Sequence, residues 1–321
     1  MTSANPVLSQ ASQLCLGGNV FGWTMSETES FAVLDAYAAT GGNFLDTADS
    51  YSVWVDGHPG GESETIIGRW MKARGNRDRL IVATKFGQLH GVKAAAVRRA
   101  VNDSLRRLQT DHIDLYYAHV DDDAVPLEET LGTLDELVLE GKVRALGASG
   151  YSAGRLSEAL AITERAGLHR YTAVQPLFNL LERDSYEGEL QDLCLREQVA
   201  CVPFSSLARG FLTGKYRPGR RTETRRGAFG WGGQWDARSR AVIEALDAVA
   251  RARSTTAAAV AVSWLAAQPT VASPIVSART VEQLGEILPG VRLKLSDAEL
   301  RRLTDAGART ATSATDTQPV D

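Results

Sequence analysis

Short runs rich in Val, Ile and Leu alternate with longer amphipathic segments along most of this chain, and that alternation restricts the fold more than any other feature. The apolar runs fall at residues 13–16, 43–46, 80–84, 113–118, 143–148, 173–175, 200–204 and 272–276. Several are continuously apolar, the pattern of strands covered on both faces. Between them, residues 28–40 carry Phe31, Leu34 and Ala38 at helical spacing and stop at Gly41 and Gly42, a helix-ending signal. Residues 63–74, 94–108, 127–139, 152–166 and 188–198 repeat the scheme. The early runs start roughly 30 to 40 residues apart, the size of one βα unit. Eight such units predict an α/β fold: a single parallel (β/α)8 TIM barrel, with its active site at the C-terminal end of the strands. An open doubly wound sheet is the alternative, but the chain lacks the GxGxxG turn expected after its first strand.

The 321 residues divide into an N-terminal segment at 1–13, the barrel at 14–309, and a small, polar tail at 310–321 that is expected to be mobile. Hydrophobic residues at 44% and charged residues at 23% suit a soluble globular chain and exclude wholesale disorder. A net charge of -4 argues against a nucleic-acid surface. The longest apolar run, 257–267, is well short of the roughly 20 residues that span a bilayer. Neither a secretory signal nor a CxxC is visible, so Cys15, Cys194 and Cys201 are read as reduced thiols in the cytoplasm. His58, His90, His112, His119 and His169 form no HxxxH or HExxH, and no metal site is predicted.

Functional groups of a barrel belong at the C-terminal ends of its strands. Those ends carry, in order, Asp46 with Tyr51 five residues on, Lys85, His119, Ser149, Gln175, and then Phe204, Ser205 and Ser206. Each alone has an ordinary reading: Asp46 as a turn cap, Lys85 as a solvated strand end, His119 as a structural histidine. One barrel mouth would gather them, and the set makes chemical sense. A tyrosine hydroxyl titrates at about 10, too high for easy proton donation and return near neutrality. A neighbouring lysine ammonium favours the phenolate and lowers that value. A carboxylate orients the lysine, and a histidine orients a carbonyl oxygen. This is equipment for protonating an alkoxide during hydride transfer.

Several stretches resemble the aldo-keto reductase superfamily: NFLDTADSY (43–51), GGESETIIGRW (60–70), IVATKFG (81–87), SLRRLQTDHIDLYYAH (104–119) and GKVRALGAS (141–149). VQPLFNLLER (174–183), PFSSLARGFLTGKY (203–216) and PIVSARTVEQLGEIL (274–288) extend the resemblance, in the expected order. It implies an NADPH-dependent carbonyl reductase with a small-molecule carbonyl substrate and a catalytic tetrad of Asp46, Tyr51, Lys85 and His119. Tyr51 would be the general acid, Lys85 and Asp46 its tuning pair, and His119 the carbonyl-orienting group. The resemblance further implies that Ser149 and Gln175 hold the nicotinamide carboxamide, that Phe178 stacks on the ring, and that Ser205, Leu207, Arg209, Gly210 and Lys215 follow the pyrophosphate. Ser277 and Arg279 would meet the adenosine 2′-phosphate and Gln283 the adenine side. Thr280 to Gln283 also reads as a capping box.

Gly150, Phe178 and Ile287 depart from the family pattern, where an asparagine, a tyrosine and an asparagine are common. Trp23, Trp54 and Phe86 are candidates for the substrate wall, with Phe229, Trp231 and Trp235 beyond them. The Arg- and Gly-rich insertion at 217–236 is expected to be a mobile cover over the mouth, its arginines quieted by cofactor phosphate. Two other readings compete. Lys85 could form a Schiff base, as in an aldolase, or the chain could be a cofactor-sensing auxiliary subunit.

Overall fold

The computed structural model of the protein describes residues 6–218 and 235–308. A 3-10 turn at Leu8–Gln10 leads into β1 (Cys15–Gly17), α1 (Glu27–Ala39), β2 (Phe44–Asp46), α2 (Glu62–Arg74), β3 (Ile81–Phe86) and α3 (Ala94–Leu108). Then come β4 (Ile113–Ala118), α4 (Leu127–Leu139), β5 (Val143–Ser149), α5 (Ala153–Ala166), β6 (Tyr171–Gln175), α6 (Glu189–Glu197) and β7 (Ala200–Cys201). A long excursion holds a 3-10 segment at Ala208–Thr213, α7 (Ala237–Ala252) and α8 (Ala257–Ala266). The chain closes with β8 (Ile275–Val276), α9 (Val281–Ile287), α10 (Pro289–Arg292) and α11 (Asp297–Gly307).

All eight strands are parallel and run in the order β7-β6-β5-β4-β3-β2-β1-β8. The ends of that order meet where the Ile275 N–H donates to the Pro203 carbonyl at 2.9 Å and the Ala272 N–H to the Cys201 carbonyl at 2.8 Å. The result is the (β/α)8 barrel. β7 and β8 are shorter than their apolar runs because Pro203 and Pro274 have no N–H to give a ladder. Among the described residues no helix is long and apolar enough to cross a membrane.

Successive strand residues point to opposite faces, and this parity positions the site. Phe44, Ile81, Ala83, Leu115, Tyr117, Ala145 and Ala173 form the inner cluster, and Leu8 of the leading turn joins it. Leu45, Val82, Phe86, Tyr116, Ala118, Leu146 and Val174 pack outward against the helices. Continuing the inner line along β2, β3, β5 and β6 by steps of two reaches Asp46, Lys85, Ser149 and Gln175 at the C-terminal ends; on β4 it reaches His119 just beyond. A hydrophobic barrel interior therefore ends in a polar mouth.

The helical shell packs closely where α2 meets α3. A Cβ on Gly68 of α2 would overlap the Arg107 carbonyl oxygen and stand 2.7 Å from the Leu108 carbonyl carbon. Gly68→Ala would gain up to about 1 kcal/mol of helix propensity, yet overpacking costs roughly 1–3 kcal/mol. Urea unfolding should show a net loss of stability; a variant as stable as the parent would mean that the two helices separate freely.

Candidate active site

A cavity of about 790 Å³ opens at the C-terminal ends of the strands. Asp46, Tyr51 and His119 line it, and Lys85 lies beneath with 0% of its surface exposed. Three N–H donors is the full complement of a lysine ammonium. Lys85 Nζ donates to Asp46 Oδ2 at 2.8 Å, to the Thr47 carbonyl at 2.7 Å and to the Tyr51 hydroxyl at 2.9 Å. The Tyr51 hydroxyl donates to Asp46 Oδ2 at 3.2 Å, and Gln175 Nε2 donates to Asp46 Oδ1 at 2.8 Å. Both oxygens of this buried carboxylate are thus engaged, the condition under which a buried ion pair is tolerable.

His119 stands edge-on to Tyr51, with ring centroids 6.1 Å apart. Burial first, and the Lys85 charge second, push its imidazole down to about 3, so the ring is neutral at physiological pH. Its Nδ1 is buried with no hydrogen-bond partner among the described residues. Tyr51 departs from expectation. Burial, then the Asp46 carboxylate, holds its phenol well above the ordinary range. The lysine donates to the phenol oxygen, but desolvation and the acid outweigh it in the cofactor-free protein, and the proton stays on. Such a centre can offer a proton, backed by an ammonium, to an oxyanion placed beside it.

The cavity has two unlike halves. Trp23, Tyr51, Trp54, Gln88 and His119, from the loops after β1 to β4, form one. Trp23 and Trp54 meet edge to face at 5.3 Å, and Trp54 lies 6.2 Å from the Tyr51 ring. The other half comes from β5 to β8 and the segments after them: Ser149, Gly150, Gln175, Ser205, Leu207, Arg209, Gly210, Lys215, Ser277, Arg279 and Gln283 line it, together with Phe204, Tyr216, Glu286 and Ile287, and its arginines and lysine outnumber its one acid. After β7 the backbone turns left-handed at Ser205, Ala208, Arg209 and Gly210, with φ of 55°, 46°, 53° and 93°. Turns of this kind gather N–H groups into anion-binding concavities. The turn is held in place by Asn179 Nδ2, which donates to the Ser205 carbonyl at 3.0 Å, and by the Ser206 hydroxyl, which donates to the Ile275 carbonyl at 2.7 Å. Ser277 Oγ donates to Asn19 Oδ1 at 2.8 Å, tying β8 to the loop after β1.

The family model described as the Aldo/keto reductase family matches residues 13–308. The chain belongs to the aldo/keto reductases. Norsolorinic acid reductase B of Aspergillus parasiticus is 30% identical, over 95% of this chain and 86% of its own. The aryl-alcohol dehydrogenase [NADP(+)] of Phanerodontia chrysosporium is 32% identical, over 88% and 77%. An uncharacterized oxidoreductase, YrpG, of Bacillus subtilis is 32% identical over 92% of both chains. The protein is accordingly an oxidoreductase enzyme.

Within this aldo/keto reductase the structure moves three expected aromatic residues out of the site. Phe178 is fully buried between Tyr186 and Trp264, at centroid distances of 5.0 and 5.8 Å, and lines no part of the cavity. Rings in that wall are Phe204, 37% exposed, where the seventh apolar run ends, and Tyr216. Phe86 has the outward parity of β3 and packs on Tyr116 at 4.9 Å. Trp235 packs on Phe211 at 5.5 Å, away from the cavity lining. Most of the 217–236 insertion, Phe229 and Trp231 included, lies outside the described residues. At its start Arg217 is neutralised by Asp247 of α7 at 2.6 Å.

The predicted capping box is half right. Thr280 caps α9 by accepting from the Gln283 N–H, while Gln283 Oε1 accepts from the Arg279 N–H at 3.0 Å. Gln88 and Asn19 line the cavity without having been expected there. Neither belongs to a strand end, and each is placed by a loop partner.

Behind β3 lies a group that the sequence did not single out. Asp49, in the turn joining Asp46 to Tyr51, is 1% exposed, and no side chain among the described residues hydrogen-bonds its carboxylate. Glu64 beside it is satisfied by Thr84 Oγ1 and Arg107 Nε, both at 2.6 Å. Burial, reinforced by Glu64 and opposed by Arg107 and Lys85, pushes Asp49 up to about 7. An unfolded Asp titrates near 3.9. The folded protein therefore binds the extra proton between about pH 4 and 7, and stability falls as pH rises through that window. Asp49→Asn removes the titration. It should gain on the parent from pH 5 to pH 8 by on the order of 1–4 kcal/mol in denaturant unfolding. A stability difference independent of pH would show that Asp49 is ionised alike in both states.

Proposed function

We propose that the enzyme reduces an aldehyde or ketone to an alcohol with NADPH, acting as one domain over residues 14–309. The observation that carries this is the Lys85 ammonium joined to both Asp46 and the Tyr51 hydroxyl beneath the cavity, beside a neutral His119. NADPH, when bound, supplies the hydride. The cationic half of the cavity fits it: a left-handed turn after β7, Lys215, and an Arg279 guanidinium with no ion pair among the described residues. Ser149 and Gln175 would hold the nicotinamide end, with Phe204 taking the ring-contact role first given to Phe178. Ser205, Leu207, Arg209, Gly210 and Lys215 would hold the pyrophosphate, and Ser277, Arg279 and Gln283 the adenosine with its 2′-phosphate.

Tyr51 gives its proton to the carbonyl oxygen as charge develops there. The phenolate left behind is stabilised by Lys85, whose ammonium Asp46 and the Thr47 carbonyl keep in place. His119, neutral and with one ring N–H, orients the carbonyl. Trp23 and Trp54 exclude water from the substrate side. Three free, buried cysteines support a reducing compartment, the cytoplasm. The aldolase reading loses ground, because all three N–H donors of Lys85 are engaged and its side chain is closed off from the cavity.

Tyr51→Phe keeps the ring and removes the proton. Carbonyl reduction should fall by about 10²- to 10⁴-fold, with NADPH binding by fluorescence titration largely kept. Turnover near that of the parent, where chemistry limits the rate, would take Tyr51 out of the donor role. Arg279→Ala should weaken NADPH about ten- to a hundredfold, the worth of a charge-assisted hydrogen bond to phosphate, and leave NADH nearly unchanged. Equal losses for both cofactors would assign Arg279 to the shared part of the dinucleotide.

A further inference from the structure

We infer that Gln175 is a positioning residue for the proton transfer, which holds the Asp46 carboxylate by its Oδ1 and so tempers the pull of Asp46 on the Tyr51 proton. The inference rests on the carbonyl-reductase reading and adds to it a residue that acts through Asp46 rather than on substrate. Asp46 has two opposed effects. Its Oδ2 anchors the Lys85 ammonium at 2.8 Å, which the reaction needs, yet it also accepts from the Tyr51 hydroxyl at 3.2 Å, which keeps the phenol proton in place. A donor on the other oxygen, Oδ1, stabilises the carboxylate and weakens its hold on that proton.

Among the described residues Oδ1 accepts from Gln175 Nε2 alone, at 2.8 Å. An ionised carboxylate only accepts, so the amide must turn its NH2 to Asp46. β2 and β6 stand four strands apart in either direction round the barrel, so this bond spans the mouth from one side to the other. Gln175 is 3% exposed, and its main chain is pinned by the Ser149 hydroxyl, which donates to its carbonyl at 3.0 Å. Other ionisable groups around the pair are neutral near pH 7. Burial pushes the Cys15 thiol of β1 and the Tyr117 phenol of β4 well up, and it pushes His119 down to about 3. Asp49, behind β3 and pushed up to about 7, titrates in the parent and in any variant at 175 alike. The field at Tyr51 is therefore set chiefly by Asp46 and Lys85, and the Gln175 N–H is the neutral donor that offsets part of the carboxylate's charge.

The test uses two variants of the full-length enzyme: Gln175→Met, which fills similar space without a donor, and Gln175→Glu. kcat is measured at saturating NADPH from about pH 5 to pH 8, with whichever simple aldehyde or ketone the parent turns over fastest, and NADPH affinity is titrated by fluorescence at each pH. Gln175→Met should lower kcat about ten- to a hundredfold throughout, the usual contribution of a hydrogen bond to a charged group. The carboxyl introduced by Gln175→Glu faces Asp46 and shares one proton with it. While protonated it donates to Oδ1 as the amide does; once ionised it sets a second negative charge beside Asp46. The ratio of its kcat to that of the parent should stand at about one at the acid end and fall about tenfold or more as pH rises. A residue that only held the nicotinamide carboxamide would behave otherwise. Gln175→Met would then weaken NADPH and spare kcat at saturation, and the ionised carboxylate of Gln175→Glu would still accept from the carboxamide, so its ratio would not fall with pH. Either result overturns the inference and leaves the reductase reading in place. The Gln175→Glu series is read within one protein whose fold is followed by circular dichroism at each pH, so it decides the matter even where Gln175→Met does not fold. A parent that reduces no carbonyl with NADPH overturns the reading, and the inference with it.

Discussion

The site depends on one buried ammonium. Lys85 sits at the end of the inner line of β3 with 0% exposure, where an unpaired charge would cost several kcal/mol. Its tolerance there requires Asp46 from β2, the Thr47 carbonyl and the Tyr51 hydroxyl, all within 2.9 Å. Those three acceptors are contributed by one six-residue stretch, so the lysine also dictates how the chain leaves β2. Gln175, 129 positions from Asp46 in sequence, completes the carboxylate's shell and draws β6 into the same arrangement. Removing Lys85 or Asp46 leaves the other's charge uncompensated inside the barrel, which couples the integrity of the mouth to that of the reacting groups.

Behind this centre lies a second set of buried charges with a weaker balance. Arg107 of α3 reaches Glu64 of α2 at 2.6 Å, while no ion pair with Asp49 is formed among the described residues. Burial first, and the Glu64 charge second, make one of the two carboxylates hold its proton more tightly. It is Asp49, on the turn that carries Tyr51, that does so. The α2–α3 packing around Gly68 is therefore linked electrostatically to the turn that presents the phenol.

The parts of this structure legible in the sequence are those governed by local periodicity. α3, α4 and β4 have the bounds that hydrophobic spacing predicts, because each is long and uninterrupted. Asp46, Lys85, His119, Ser149 and Gln175 could be read as a group because strand parity delivers every second residue to the mouth. The same parity, applied to β3, sends Phe86 outward beside Tyr116, a step that reading strand ends alone overlooks. Phe178 lies just past the end of β6, where it packs on Tyr186 of the following loop and on Trp264 far along the chain. The raised phenol of Tyr51 is not legible in the motif for a related reason: a lysine neighbour can be read there, but the extent of desolvation is a property of the assembled barrel.

The division of the cavity follows from the order of the strands. Because each strand pairs with its sequence neighbour, the first four βα loops must lie on one side of the mouth and the last four on the other. The chain uses the two sides differently. Indoles rise from the loops after β1 and β2, while the second side carries the long excursion after β7 with three non-glycine residues, Ser205, Ala208 and Arg209, in left-handed backbone. Such residues are disfavoured by roughly 1–2 kcal/mol each, and they cluster where strain serves binding. Here the strain is concentrated in a turn pinned by Asn179 from the β6 side and by Ser206 to β8. A relaxed turn would let backbone donors scatter; a pinned one keeps them gathered beside Lys215 and Arg279 before any anion arrives. The barrel thus separates a polar half carrying Arg209, Lys215 and Arg279 from an aromatic one carrying Trp23 and Trp54, and Tyr51 lies on the aromatic side.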